Sequence, residues 1–280
     1  MAATYINLGC GSVFVDSPDW INLDFMPASP RVRRANLLAR LPLRSNKARL
    51  VYASHFLEHI PKPEVDAFLR ECHRVLQPGG VLRLVLPDLQ EMAASYLRYR
   101  EAGDHERANF LVLEMIDQCV RRERGGELRR FYRRLRNASE KQTEMIKFVR
   151  ERTGENLAGQ QQECGISGRL HRRIPQLGEV ARAIGQRFQR AWLRLWLEGL
   201  PPTFRMQNVS LAGDGELHHW LWDFHQLRQA LEAAGFIAVE LRTAYSSAIE
   251  DFPFYPLDLD VDGQPRKGAE SMYVEACKPL

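Results

Sequence analysis

The chain has 280 residues, 45% hydrophobic and 26% charged, with a formal net charge of +4. That composition is ordinary for a soluble globular protein with one substantial core, and the mild charge alone makes no case for a nucleic-acid binder. Five scattered cysteines (Cys10, Cys72, Cys119, Cys164, Cys277) argue against a zinc ribbon; with no leader and no membrane-length apolar run, the expected location is the reducing cytoplasm.

Residues 4–8 and 20–24 read as the first two strands. The first runs through Asn7-Leu8 into Gly9-Cys10-Gly11, where glycines permit positive φ and let a ligand approach the main chain without meeting a Cβ. The second ends on Asp24. A glycine turn after one strand and an acid at the tip of the next is how nucleoside-binding folds hold adenosine, the acid accepting hydrogen bonds from the ribose hydroxyls. The connection 12–19 is too short for a full crossover helix. Short strands are expected at 32–35 and 48–53. Pro61 and Pro63 then open a helix whose buried face is Val65, Phe68, Leu69, Cys72, Val75 and Leu76, and Gln77-Pro78-Gly79-Gly80 stops it. Residues 81–86 form a fifth strand. Alternating strands and helices of this length predict a parallel sheet covered on both faces.

From about 90 to 217 the chain changes character and becomes helical and arginine-rich, with candidate helices at 89–101, 105–122, 127–150 and 176–198. Residues 121–136 carry eight arginines against two glutamates. A solvated helical face is the plainer reading, and a cationic surface for an anionic glycan carrier or RNA is the alternative. The strand–helix rhythm returns at Asp223, an expected helix N-cap, with strands at 237–241 and 273–277. The long loop 243–270 between them lies where loops often carry function.

The motifs Asn7-Leu8-Gly9-Cys10-Gly11, Trp20-Ile21-Asn22-Leu23-Asp24, Leu57-Glu58-His59 and Arg74-Val75-Leu76-Gln77-Pro78-Gly79-Gly80 together resemble the class I S-adenosylmethionine-dependent methyltransferases of the type 11 group. Residues 216–223 and 232–236, and Arg266-Lys267 ahead of 271–276, are similar to bacterial members tied to glycan and lipopolysaccharide assembly. The resemblance implies an α/β, Rossmann-like seven-stranded methyltransferase sheet with an antiparallel last strand. Its methyltransferase domain would comprise residues 1–101 and 216–280, with 102–215 a helical insertion capping the substrate side. It further implies that S-adenosylmethionine is bound and S-adenosylhomocysteine released. Asn7, Gly9, Cys10 and Gly11 would lie under the methionine part, Asp24 on the ribose, Asn36 and Leu37 on the adenine, and Ser54 and His55 at the sulfonium end. Asn36 stands where the family usually has Asp, and the usual third glycine is absent.

For an oxygen acceptor a general base is needed, because a hydroxyl is a poor nucleophile until its proton leaves. His55 and His218 are the expected catalytic residues, ahead of His59 and His219. The spacing His55-x-x-Glu58-His59 matches an inverted zincin pattern, but it falls on the turn after a strand and not on a helix, which excludes the protease reading. Some oxygen methyltransferases hold a divalent metal through Glu-x-x-Glu-His, and His55 breaks that pattern at its first position. No metal is therefore expected; His55, Glu58 and His59 are the residues that would hold one, with His218 a further ligand. The expected reaction is O-methylation of a sugar, glycan or related small metabolite. An RNA or protein methyltransferase, or a non-catalytic scaffold, are the rivals. The expected partner is a small-molecule or glycan acceptor, not nucleic acid, and a homodimer is left open.

Overall fold

A computed structural model describes residues 4–137, 142–157, 192, 196–204, 209–210 and 215–280. Its strands are β1 (Thr4–Leu8), β2 (Trp20–Asp24), β3 (Arg33–Arg34), β4 (Ala48–Ser54), β5 (Leu76–Pro87), β6 (Ile237–Arg242) and β7 (Ser271–Cys277). They form one sheet in the order β3-β2-β1-β4-β5-β7-β6. β1 to β5 pair in parallel, and β7 runs antiparallel to both β5 and β6. This is the expected Rossmann-like sheet with its last strand reversed.

The two faces are covered differently. On one, Phe68, Leu69, Cys72 and Val75 of α1 (Val65–Val75) meet Leu227 and Leu231 of the C-terminal helix (Phe224–Ala233) over Val51, Leu82 and Leu84. Asp223 caps that C-terminal helix by accepting the Gln226 N–H, as its position predicts. On the other face, Tyr5, Leu50, Tyr52, Val85 and Tyr273 are covered by Ala244, Ile249, Phe252 and Leu257 from loop 243–270. A loop takes a helix's place there, so something must hold it. Arg83, fully buried on β5, supplies that hold: it donates to Asp258 at 2.6 and 2.9 Å, to Glu275 at 2.8 Å, and to the Thr243 and Ser246 carbonyls.

Helices α2 (Leu89–Glu101), α3 (His105–Val120), α4 (Gly126–Arg136) and α5 (Thr143–Thr153) fill the described part of the middle segment. Phe110, Phe131, Leu135, Met145, Phe148 and Val149 give them a core of their own. Asp88 and Asp104 cap α2 and α3. The single helix expected at 127–150 is two, ending at Asn137 and restarting at Thr143. The arginines of α4 point outward around Phe131 and Leu135, as a solvated face does; Arg129, Arg130, Arg133, Arg134 and Arg136 are all exposed. The helix expected at 176–198 lies almost wholly outside the described residues.

Strand β5 is longer than residues 81–86. Helix α1 stops at Val75, ahead of the expected 77–80 stop; Leu76, expected on its buried face, already pairs with Ala48, and Gly79 and Gly80 exchange backbone hydrogen bonds with Lys278. Pro78 cannot continue the helix, and Gly79 takes φ +73°, so the arm turns directly into the sheet.

Candidate active site

The motif residues converge because four parallel strands end on one edge of the sheet. Leu8 pairs with both Leu23 and Ala53, so Gly9, Asp24 and Ser54 leave the sheet side by side. Asn7 and Asn22, opposite one another in β1 and β2, donate to the Val13 and Val15 carbonyls and clip the short 12–19 connection back onto the sheet. Gly9 and Gly11 take φ of +65° and +52°. A Cβ at Gly9 would lie 2.5 Å from Phe56 Cδ2, whereas at Gly11 it would meet nothing within 4 Å. Gly9 is thus required by packing and Gly11 by backbone direction.

Asp24 ties the turn to β2: Gly11 N–H donates to Oδ2 at 2.8 Å and Met26 N–H to Oδ1 at 2.7 Å. Each carboxylate oxygen keeps a free lone pair toward solvent. Ala35 N–H donates to the Asp24 carbonyl, which sets Asn36 behind the acid. Asn36 Oδ1 accepts the Leu38 N–H, so its amide oxygen is shared with an Asx turn. Leu37 is buried and faces a separate cavity with Arg40, Glu71 and Arg74. The Cys10 thiol, pushed up to about 12 by burial and by the Asp24 charge, is no nucleophile.

Two cavities meet at this edge. One, of about 270 Å³, is lined by Asn7, Gly9, Cys10, Gly11, Ser54 and His55, and by Arg266 and Lys267 from the loop. The other, of about 290 Å³, is lined by His55, His59 and His218 with Gln118, Lys267 and Glu270 among others. His55 and Lys267 belong to both. His55 takes φ +48°, a left-handed conformation that costs a side-chain-bearing residue about 1 kcal/mol or more and that tends to cluster at functional sites. Its N–H donates to the Val85 carbonyl at 2.7 Å and its Nε2 lies 3.0 Å from Ser271 Oγ.

Glu58, in the 3₁₀ turn Leu57–His59, is 1% exposed, and neither carboxyl oxygen has a hydrogen-bond partner. His55 Nδ1 lies 3.3 Å from its Oε1 and His59 Nε2 4.0 Å away. The strap before the C-terminal helix docks on this turn through His219 N–H to the Glu58 carbonyl at 2.7 Å, which places His218 edge-on to His59 with ring centroids 4.8 Å apart. Burial pushes Glu58 up to about 8. It depresses His55 and His59, and it takes His218 down to about 3, helped by the charges of His59 and Arg121. The histidines are therefore neutral and the carboxyl is held protonated, unless a cation compensates it.

The candidate residues thus fall in two groups. Asn7, Gly9, Cys10, Gly11, Ser54 and His55 line one cavity; His55, Glu58, His59 and His218 cluster beside the second, and Asp24 is tied directly to the glycine turn. Sequence reasoning missed Lys267, Gln118, Glu114 and Glu270. The loop's length and position pointed to Lys267, whereas no local signal marks the other three.

Sheet order and the glycine turn at the strand ends define the fold, a Rossmann-like seven-stranded α/β sheet with its last strand reversed. Residues 22–84 match the family described as "Methyltransferase domain". An S-adenosylmethionine-dependent methyltransferase from Mesorhizobium loti is similar over 32% of this chain and 48% of its own, at 20% identity and a TM-score of 0.25. The chain thus spans under half the length of that protein. An S-adenosylmethionine-dependent methyltransferase from Archaeoglobus fulgidus is similar over 99% of this chain and 86% of its own, at 10% identity and a TM-score of 0.39. A Haloferax volcanii putative methyltransferase in complex with the activator Trm112 gives 9% identity and a TM-score of 0.37 over 100% and 84%. No curated protein matches the chain. The residues present fit the cofactor: an open cradle at Gly11, which a Cβ would begin to fill, faces a carboxylate with free lone pairs. Among the described residues no helix is long and apolar enough to cross a membrane.

Proposed function

We propose that the protein transfers a methyl group from S-adenosylmethionine to an oxygen of a sugar, glycan or related small metabolite. The observation that carries this reading is the pair of adjoining cavities, one built on the glycine turn and one on three imidazoles, with His55 and Lys267 common to both. Bound S-adenosylmethionine supplies an activated methyl carbon, so the protein's task is positioning. Asn7, Gly9, Cys10 and Gly11 cradle the amino-acid part, Asp24 holds the ribose diol, and Asn36 and Leu37 flank the adenine. Ser54 and His55 stand where the methyl group is presented. An acceptor hydroxyl in the second cavity would reach the neutral imidazoles of His55 and His218, either able to take its proton. The described middle helices wall that cavity through Gln118, Arg121 and Tyr132, which makes the insertion the element that selects the acceptor.

The mixed lining, with Glu114, Glu155, Glu216 and Glu270 against Arg121 and Lys267, suits a polar, hydroxylated acceptor better than an apolar or polyanionic one. Calorimetry with S-adenosylhomocysteine tests the first half of the reading: Asp24→Ala is expected to abolish binding, and unchanged affinity would remove the assignment. Incubation with methyl-labelled S-adenosylmethionine and a panel of sugars and glycans tests the second, with alkali-stable label in the acceptor as the expected result.

A further inference from the structure

Glu58 is the least explained group in the molecule. It is 1% exposed, both its oxygens lack a hydrogen-bond partner, and three imidazoles surround it. Leaving a buried carboxyl without a partner costs several times what an ordinary hydrogen bond contributes, so such a group ordinarily signals a missing ligand. One ligand atom each of Glu58, His59 and His218 lie within 4.8 Å of one another. Four donors arranged tetrahedrally at zinc-like bond lengths sit roughly 3.3 Å apart. The His55–Glu58 separation is 3.3 Å and the His59–Glu58 separation 4.0 Å, so the Glu58 carboxylate already stands near ligand spacing from both rings.

The outer partners of the three rings point the same way. His59 Nδ1–H donates to the Leu217 carbonyl at 2.8 Å, which leaves Nε2, on the Glu58 side, as the unprotonated nitrogen. His55 is tied through Nε2 to Ser271 Oγ, which leaves Nδ1 on Glu58. His218 Nε2 lies 2.9 Å from the Gln118 amide nitrogen, which donates to it; turning that amide to present its oxygen lets Nε2–H donate instead and frees Nδ1, which is buried without a partner, for the centre. One nitrogen anchored by a carbonyl, hydroxyl or amide and the other left to the centre is how ligating histidines are held.

We infer that Glu58, His59 and His218, joined by His55, form a binding site for a divalent transition-metal ion of the zinc type. Three imidazoles and one carboxylate select zinc, cobalt or iron over magnesium, which prefers oxygen ligands. The site opens on the second cavity, since His55, His59 and His218 all line it. This stands on the cluster alone, without the methyl-transfer reading; if that reading holds, an acceptor hydroxyl would have to enter as an added fifth ligand for the ion to favour loss of its proton. It departs from the sequence expectation of no metal, although His218 was among the residues that could join such a set.

The test uses the full chain stripped with a chelator and titrated with Co²⁺ by visible absorption and with Zn²⁺ by calorimetry. One equivalent is expected, with the absorption bands of a histidine-ligated ion, and Mg²⁺ should not compete. His59→Ala and His218→Ala are expected to weaken Zn²⁺ at least 100-fold, Gln118→Ala roughly 10-fold or more, and the exposed His225→Ala not at all. Absence of a stoichiometric site in the unmodified protein would overturn the inference and leave Glu58 a buried neutral acid, as would retained affinity in both histidine variants. Should a variant fail to fold, the unmodified titration still decides. S-adenosylhomocysteine affinity measured on the same samples separates the two readings: cofactor without metal sinks this inference alone, and metal without cofactor sinks methyl transfer alone.

Discussion

Arg83→Met isolates what loop 243–270 contributes to the fold. Arg83 is fully buried, and it pairs with Asp258 at 2.6 Å and Glu275 at 2.8 Å, both at most 2% exposed. Methionine fills much of the volume but leaves the buried Asp258 without a cation, while Glu275 keeps only Arg242 at 3.1 Å. Breaking a buried ion pair from one side costs about 3–5 kcal/mol, mainly because the surviving charge stays desolvated. With an unfolding entropy of about 2.1 cal/mol/K per residue, a chain of this length loses about 5–8 °C of Tm for that change. Thermal unfolding at pH 7 measures it, with Arg70→Ala as the control, since the Arg70–Asp66 pair is about 60% exposed on both sides and should shift little. Burial already raises the Asp258 carboxyl, so the variant's deficit should shrink toward pH 5, where the folded protein can protonate it more cheaply. Adding Asp258→Asn to Arg83→Met should recover part of the loss. A Tm shift under about 2 °C, or no recovery in the double variant, would refute the idea that this network fastens the loop.

Gly9→Ala should cost more than Gly11→Ala in Tm, because both strain a positive φ but only the former drives a Cβ into Phe56; the Gly11 variant is instead expected to weaken S-adenosylhomocysteine in calorimetry. His218→Ala is expected to lose turnover while keeping S-adenosylhomocysteine affinity, and equal turnover would remove His218 from the chemistry. The buried Glu270 carboxyl is raised by desolvation and by the neighbouring Glu114 charge. A carboxyl raised on folding gives stability that is full below the ordinary carboxylate range and lost as pH climbs toward its folded value. Metal-free protein should therefore lose stability from about pH 4.5 through neutrality, and Glu270→Gln should flatten that decline by at most about 1.4 kcal/mol per pH unit. Parallel pH–Tm curves for the two proteins would contradict it.

What the sequence disclosed depended on how far apart the partners lie. The glycine turn, Asp24, the end of α1 and the Asp223 cap are local: each combines an apolar run with a turn or capping residue a few positions away, and each appears as expected. Strand positions followed because β1, β2 and β4 are short apolar runs that end on marked residues. The Arg83 network was invisible, since a single arginine in an apolar strand does not announce partners at 258 and 275. The resemblance pointed to His218, but not to what brings it to Glu58, a backbone hydrogen bond from a strap about 160 residues away. The arm 76–80 read as a mere stop, because its pairing with Ala48 and Lys278 is long-range too. Periodicity reports which face is buried, not what arrives to bury it.

His55 shows how the two kinds of information combine. Its place after β4 was legible; its left-handed backbone was not, nor that its ring stands between the glycine-turn cavity and Glu58. The strain is sustained by partners on the sheet, Val85 on β5 and Ser271 on β7, and not by the turn itself. β5 is also the strand that carries Arg83, and β7 begins directly after the loop that Arg83 fastens. The buried ion pair on the covered face and the histidine on the open edge therefore share two strands. Loosening the loop at Arg83 should disturb Lys267 and Ser271 before it disturbs Gly9 or Asp24, whose contacts run through β1 and β2. On this arrangement the glycine-turn half of the site is the stiffer one, and the half around His55 and Lys267 depends on how firmly the loop is held.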